Sequence, residues 1–129
     1  MITNTSKTAK TILLVEDEGL VLLSLQMAFQ EFDYHVLTAT NGNEALQQYT
    51  QHRDEIALVV TDMSMPGMDG LGLLAALRTQ SPNLKVIIMT GHLLDTDDLS
   101  RQGHKPTRRI AKPISLDKLI QVVEETLAN

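Results

Sequence analysis

Ile56-Ala57-Leu58-Val59-Val60-Thr61-Asp62 is the stretch on which the reading of the whole chain turns. Its first five residues are all apolar, and Ile56, Val59 and Val60 are β-branched, the composition of a strand rather than of a short helix. The run is the most strand-like of the sequence and is placed as the central strand of a sheet. It ends at Thr61-Asp62, before a loop rich in Met, Pro and Gly. A carboxylate therefore stands where the central strand gives way to irregular chain.

Working outward, short apolar runs alternate with segments of helical period, the pattern of repeated βα units around a parallel sheet. Toward the N-terminus, Thr11 to Val15 has no internal polar residue, as a strand covered on both faces requires, and stops at Glu16-Asp17-Glu18. Gly19 to Glu31 reads as a helix with Val21, Leu25, Ala28 and Phe32 on its buried face. Tyr34 to Ala39 is a second strand. Asn41-Gly42 is a turn, and Asn43 to Gln51 a second helix burying Ala45, Leu46 and Tyr49. Toward the C-terminus, Gly70 to Thr79 is a helix that buries Leu71, Leu74 and Leu77 and is stopped by Ser81-Pro82. Lys85 to Met89 is a strand ending at Thr90-Gly91, and Asp95 to Gln102 a weakly periodic helix. Arg108 to Ala111 is a short charged strand ending at Lys112-Pro113. Ser115 caps a last helix whose stripe is Leu116, Leu119, Ile120, Val123 and Leu127. Five such units predict an α/β domain: a doubly wound, five-stranded parallel sheet of flavodoxin-like order, spanning 11–129 behind a polar tail or linker at 1–10.

Composition agrees with one soluble domain. The 129 residues suffice for a single core, and 43% hydrophobic with 21% charged residues argues for folding rather than disorder. The chain has no cysteine, so disulfides and thiolate metal sites are excluded; with no secretory signal at the N-terminus, a cytoplasmic location is expected. No apolar run is long enough to cross a bilayer. A net charge of −5 disfavours direct nucleic-acid binding and leaves acid-rich cation sites open.

In an open parallel sheet, ligands gather beyond the carboxyl ends of the strands. Those ends carry Glu16 and Asp17, Asp62, Thr90 and Lys112. Each alone has an ordinary explanation as a helix cap, strand end or solvated loop residue. Jointly they are harder to dismiss, because three carboxylates crowded on one rim repel one another unless a cation lies among them. With oxygen ligands and neither cysteine nor clustered histidine, a hard ion such as Mg2+ is indicated.

From Thr11 to Leu127 the chain resembles a response regulator receiver domain. The resemblance rests on the pair Glu16-Asp17, on Thr61-Asp62-Met63-Ser64-Met65-Pro66-Gly67-Met68-Asp69-Gly70, on Thr90-Gly91 and on Lys112-Pro113. It implies that Asp62 is the phosphoacceptor, attacking the phosphohistidine of a histidine kinase or phosphotransfer domain. It further implies that Asp17, Asp62 and the backbone carbonyl of Ser64 hold Mg2+, with Glu16 acting through water, and that Lys112 and Thr90 contact the phosphoryl group. Signalling would follow by conformational change toward a downstream protein, whose identity, like homodimer formation, the sequence leaves open. The segment Thr61 to Gly70 and Lys112-Pro113-Ile114-Ser115 resemble receivers fused to hybrid histidine kinases, so the chain reads as a single-domain regulator or as such a receiver.

Two features depart from the family. Arg109 occupies the position three residues before the lysine where an aromatic ring is usual, within the basic stretch Lys105 to Arg109. His92 lies two residues after Thr90, and together with Ser64 it is expected to tune the lifetime of the phosphorylated state. Magnesium-dependent phosphohydrolases are a competing class, but they place a second Asp two residues after the first, where Ser64 stands here. A receiver fold without phosphorylation is the third reading.

Overall fold

Alternate residues along the inner strands point to opposite sides of one sheet, and both sides are buried. Leu13, Val15, Val59, Val86 and Ile88 enter one apolar cluster, whereas Ile12, Leu14, Leu58, Val60, Ile87 and Met89 enter another. A sheet apolar on both faces must be covered on both, which is why the sequence shows continuous rather than alternating apolar runs. The structure, a computed structural model, describes residues 9–91 and 103–129.

The elements are β1 (Thr11–Val15), α1 (Gly19–Glu31), β2 (His35–Ala39), α2 (Gly42–Gln51), β3 (Ile56–Asp62), α3 (Gly70–Gln80), β4 (Lys85–Thr90), β5 (Arg108–Ala111) and α4 (Leu116–Ala128). All strand pairs are parallel, in the order β2-β1-β3-β4-β5. Helices α2 and α3 cover the first cluster through Ala45, Tyr49, Leu71, Leu73, Leu74 and Leu77. Helices α1 and α4 cover the second through Leu22, Leu25, Phe29, Leu119, Ile120 and Val123. The expected flavodoxin-like sheet is therefore observed, with β3 at its centre. The chain steps outward from β1 to β2 and then back across to β3, so the switch point falls between the carboxyl ends of β1 and β3.

The buried face of α1 differs from the expected one. Leu22, Leu25 and Phe29 are buried, whereas Val21 and Phe32 are 39% and 50% exposed. Almost every residue from Leu20 to Phe29 is apolar, so the period alone does not fix the phase; the strand surface beneath it does. In α4 the stripe includes Val122 and Thr126, and Leu116 is 42% exposed. Asn41, read as part of a turn, is the N-cap of α2: its side chain accepts the Glu44 N–H at 2.8 Å. Residues 1–8 of the expected tail, the expected helix 95–102 and His92 lie outside the described residues.

Candidate functional site

Three backbone contacts shape the rim above the switch point. The Glu16 N–H donates to the Ala39 carbonyl at 3.1 Å, the Met63 N–H to Met89 at 2.9 Å, and the Lys112 N–H to Thr90 at 2.9 Å. Each contact carries strand pairing just past a strand end, so the residues that follow β1, β3 and β5 are held by the sheet itself. Gly70 draws the next helix in: its N–H donates to the Met63 carbonyl at 2.8 Å, and a Cβ there would lie 2.7 Å from the Asp62 carbonyl oxygen and 2.9 Å from the Met63 Cα. Any larger residue would push directly on the backbone carrying Asp62.

Asp62 is 4% exposed, and its Oδ1 lies 2.8 Å from the Lys112 Nζ. The Ser64 N–H also points at Oδ1, at the long distance of 3.4 Å. Glu16 is 1% exposed; its Oε2 accepts the Glu18 N–H at 3.1 Å. Its Oε1 is buried with no hydrogen-bond partner among the described residues. Asp17 is exposed at the same rim, and one carboxylate oxygen each from Glu16, Asp17 and Asp62 lie within 4.8 Å of one another. Thr90 ends β4, buried, one residue beyond Met89, the register partner of Asp62.

The electrostatics follow from this crowding. Burial pushes the Glu16 carboxyl above its ordinary value, and the Asp62 charge adds to the rise, against the Glu18 N–H and Lys112. Burial acts to lower the Lys112 ammonium, but its hydrogen bond and charge contact with Asp62, aided by Glu16 and Glu18, outweigh this and leave it raised. Lys112 is therefore a fixed cation at neutral pH. It compensates one carboxylate and leaves the rim with excess negative charge.

A hard cation suits this set. Oxygen ligands at about 2.0–2.6 Å from one ion can stand up to about 5 Å apart, as these three do. A buried carboxylate oxygen without a donor is costly, so Glu16 Oε1, which has none among the described residues, fits a cation held at this rim.

The sequence therefore named the residues that converge: Glu16, Asp17, Asp62 and Lys112 meet, with Thr90 at the neighbouring strand end. Reasoning from sequence missed the Glu18 N–H that orients Glu16 and the close approach of Gly70 to Asp62, because neither depends on the type of side chain that pattern reading follows.

Residues 12–124 match the family described as response regulator receiver domain. The chain belongs to that family. Over 117 residues the receiver domain is 37% identical to the sensor kinase CckA of Brucella abortus, a match covering 91% of this chain but 12% of that kinase. It is 34% identical to the sporulation initiation phosphotransferase F of Bacillus subtilis, covering 90% of this chain and 92% of that protein. Among solved structures, the response regulator TrrA of Thermotoga maritima, in complex with Mg2+ and BeF, superposes with a TM-score of 0.80 at 31% identity, over 91% of this chain and 98% of TrrA. No helix among the described residues is long and apolar enough to cross a membrane.

Proposed function

We propose that this receiver domain accepts a phosphoryl group onto Asp62 from the phosphohistidine of a histidine kinase or phosphotransfer protein, and signals in its phosphorylated form. One observation carries the reading above all: Asp62 stands at the sheet's switch point with Lys112 at 2.8 Å, clustered with the carboxylate of Glu16, whose Oε1 is buried and has no hydrogen-bond partner among the described residues. That pairing of one available nucleophile with an uncompensated acidic cradle suits phosphoryl transfer, in which positioning and charge do most of the work.

In this mechanism an Asp62 carboxylate oxygen forms the new bond to phosphorus, and the bond from phosphorus to the donor imidazole nitrogen breaks, its electron pair staying with the imidazole. Lys112 holds Asp62 in place before transfer and faces the phosphoryl oxygens after it. Thr90, at the end of β4, turns its hydroxyl to the same group. Glu16, Asp17, Asp62 and the Ser64 backbone carbonyl are the residues that would hold Mg2+. When bound, the ion supplies positive charge against the phosphoryl oxygens.

The surface beside the site suits a protein donor. A groove of about 430 Å³ runs from Glu16 and Lys112 along Leu20, Val21, Ile114 and Leu116, and Leu20 is 83% exposed. The chain fits a stand-alone cytoplasmic regulator or the receiver of a hybrid histidine kinase; the match to part of a sensor kinase supports the second origin. Ser64 in place of a second acid speaks against a phosphohydrolase.

Incubation with Mg2+ and acetyl phosphate, followed by intact mass measurement, tests the proposal. One phosphoryl adduct is expected, and none in Asp62→Asn. Release of inorganic phosphate over many turnovers without an adduct would mark a hydrolase instead, and absence of both would mark a receiver fold that is not phosphorylated.

A further inference from the structure

Gly42 opens α2, far from Asp62 in sequence, and is buried. A Cβ at this position would lie 2.7 Å from the Met68 Sδ, 2.8 Å from its Cβ and 3.0 Å from its Cγ. The Met68 side chain thus lies flat on the first turn of α2, and because its Cβ is already in contact, no rotamer change can make room for a larger residue. Met68 belongs to the loop that carries Ser64.

That loop has little slack. At its start, Met63 is fixed through both its N–H and its carbonyl. Met65 is 8% exposed and embedded in the core cluster of α2 and α3. Pro66 has a restricted φ, and Gly67 takes φ +79°, a left-handed turn that sends Met68 back toward α2. Asp69 then caps α3, its Oδ1 accepting the Gly72 N–H at 2.8 Å. Anchored at Met63, Met65, Met68 and Asp69, the loop leaves the exposed Ser64 suspended between fixed points.

We infer that the Gly42–Met68 seat is a positioning device for the metal site: α2 sets the height of the loop and thereby the placement of the Ser64 carbonyl relative to Glu16, Asp17 and Asp62. Gly42 and Met68 touch neither the ion nor the phosphoryl group; they act through the loop. The inference rests on the Mg2+ reading of the site proposed above.

Calorimetric Mg2+ titration of the full chain and of Gly42→Ala, Met68→Ala and the double variant tests it, with metal-free melting temperature measured alongside. Wild type is expected to bind; if it does not, the reading of the metal site fails before this inference is reached. Given binding, Gly42→Ala should weaken Mg2+ affinity about tenfold by lifting the loop, and Met68→Ala about threefold by releasing it. In the Met68→Ala background, adding Gly42→Ala should cost less affinity than it does in wild type, since the approaches to Sδ and Cγ are gone and only that of the two Cβ atoms at 2.8 Å remains. If Gly42→Ala alone does not fold, recovery of a folded protein in the double variant supports the seat, and failure of the double variant to fold overturns it. Equal losses from Gly42→Ala in both backgrounds would overturn the seat, as would melting-temperature changes with Mg2+ affinity unmoved in every variant.

Discussion

Glu16 separates two costs that the acidic cluster combines. Its carboxyl is raised above its ordinary value of 4.5, first by burial and then by the Asp62 charge. The folded state therefore holds the Glu16 proton more tightly than the unfolded chain, and between the ordinary and raised values the folded state binds more protons. Stability contributed by this group is present below 4.5 and is lost as pH rises through the raised value. In metal-free protein, Glu16→Gln removes that loss. Its stability advantage over wild type, measured by urea denaturation, should grow as pH rises from 4.5 through the raised value. A constant difference across that range would show that Glu16 carries no such penalty. The sequence already pointed to Glu16 as one of three acids at strand ends. It could not tell that Glu16 is buried and Asp17 exposed, since that depends on the strand pairing by which Ala39 receives the Glu16 N–H.

Among the helices, caps distinguish what local sequence controls from what packing controls. Asn41 accepts the Glu44 N–H at 2.8 Å and Glu44 reaches back to the Thr40 N–H at 2.6 Å, a reciprocal cap that closes the start of α2. The N-cap of helix α1, Glu18, makes no side-chain capping hydrogen bond. Asn41→Ala should therefore cost about 1 kcal/mol in chemical denaturation, whereas Glu18→Ala should cost less than about 0.5 kcal/mol. Equal losses would mean that α2 is held by its packing alone. The same contrast explains what was legible. The strands β1, β3 and β4, the extent of α3 and the Ser115 cap were read from sequence because apolar runs and turn residues bound them sharply. The phase of α1 was not, because Leu20, Val21, Leu22 and Leu23 offer several apolar faces and only contact with Ile12, Leu14 and Val60 selects Leu22, Leu25 and Phe29. Gly42 was read as a turn residue; its reason for being glycine is Met68, a contact across 26 positions that no local pattern encodes.

At the scale of the whole molecule, the site exists only when the sheet does. Glu16 and Asp17 follow β1, Asp62 ends β3 and Lys112 follows β5, so the unfolded chain cannot bring the carboxylates within 4.8 Å at any comparable frequency. A cation that needs all three binds the folded state alone, and by linkage it stabilises the entire domain rather than the rim. At Mg2+ one hundred times above its dissociation constant, the stabilisation should be about 2.7 kcal/mol, which for a domain of this size raises the melting temperature by several degrees, on the order of 5 °C or more. Asp62→Asn removes one of the three clustered carboxylates and should lose most of that increase. The metal-free Asp62→Asn protein, relieved of repulsion from Glu16 and Asp17, should melt no lower than metal-free wild type unless its lost ion pair with Lys112 outweighs that relief. Thermal melts of wild type and Asp62→Asn with and without Mg2+ check both expectations at once. A rise of equal size in wild type and Asp62→Asn would place the ion elsewhere on the acidic surface, and a rise confined to wild type would tie the stability of the whole sheet to one carboxylate at its centre.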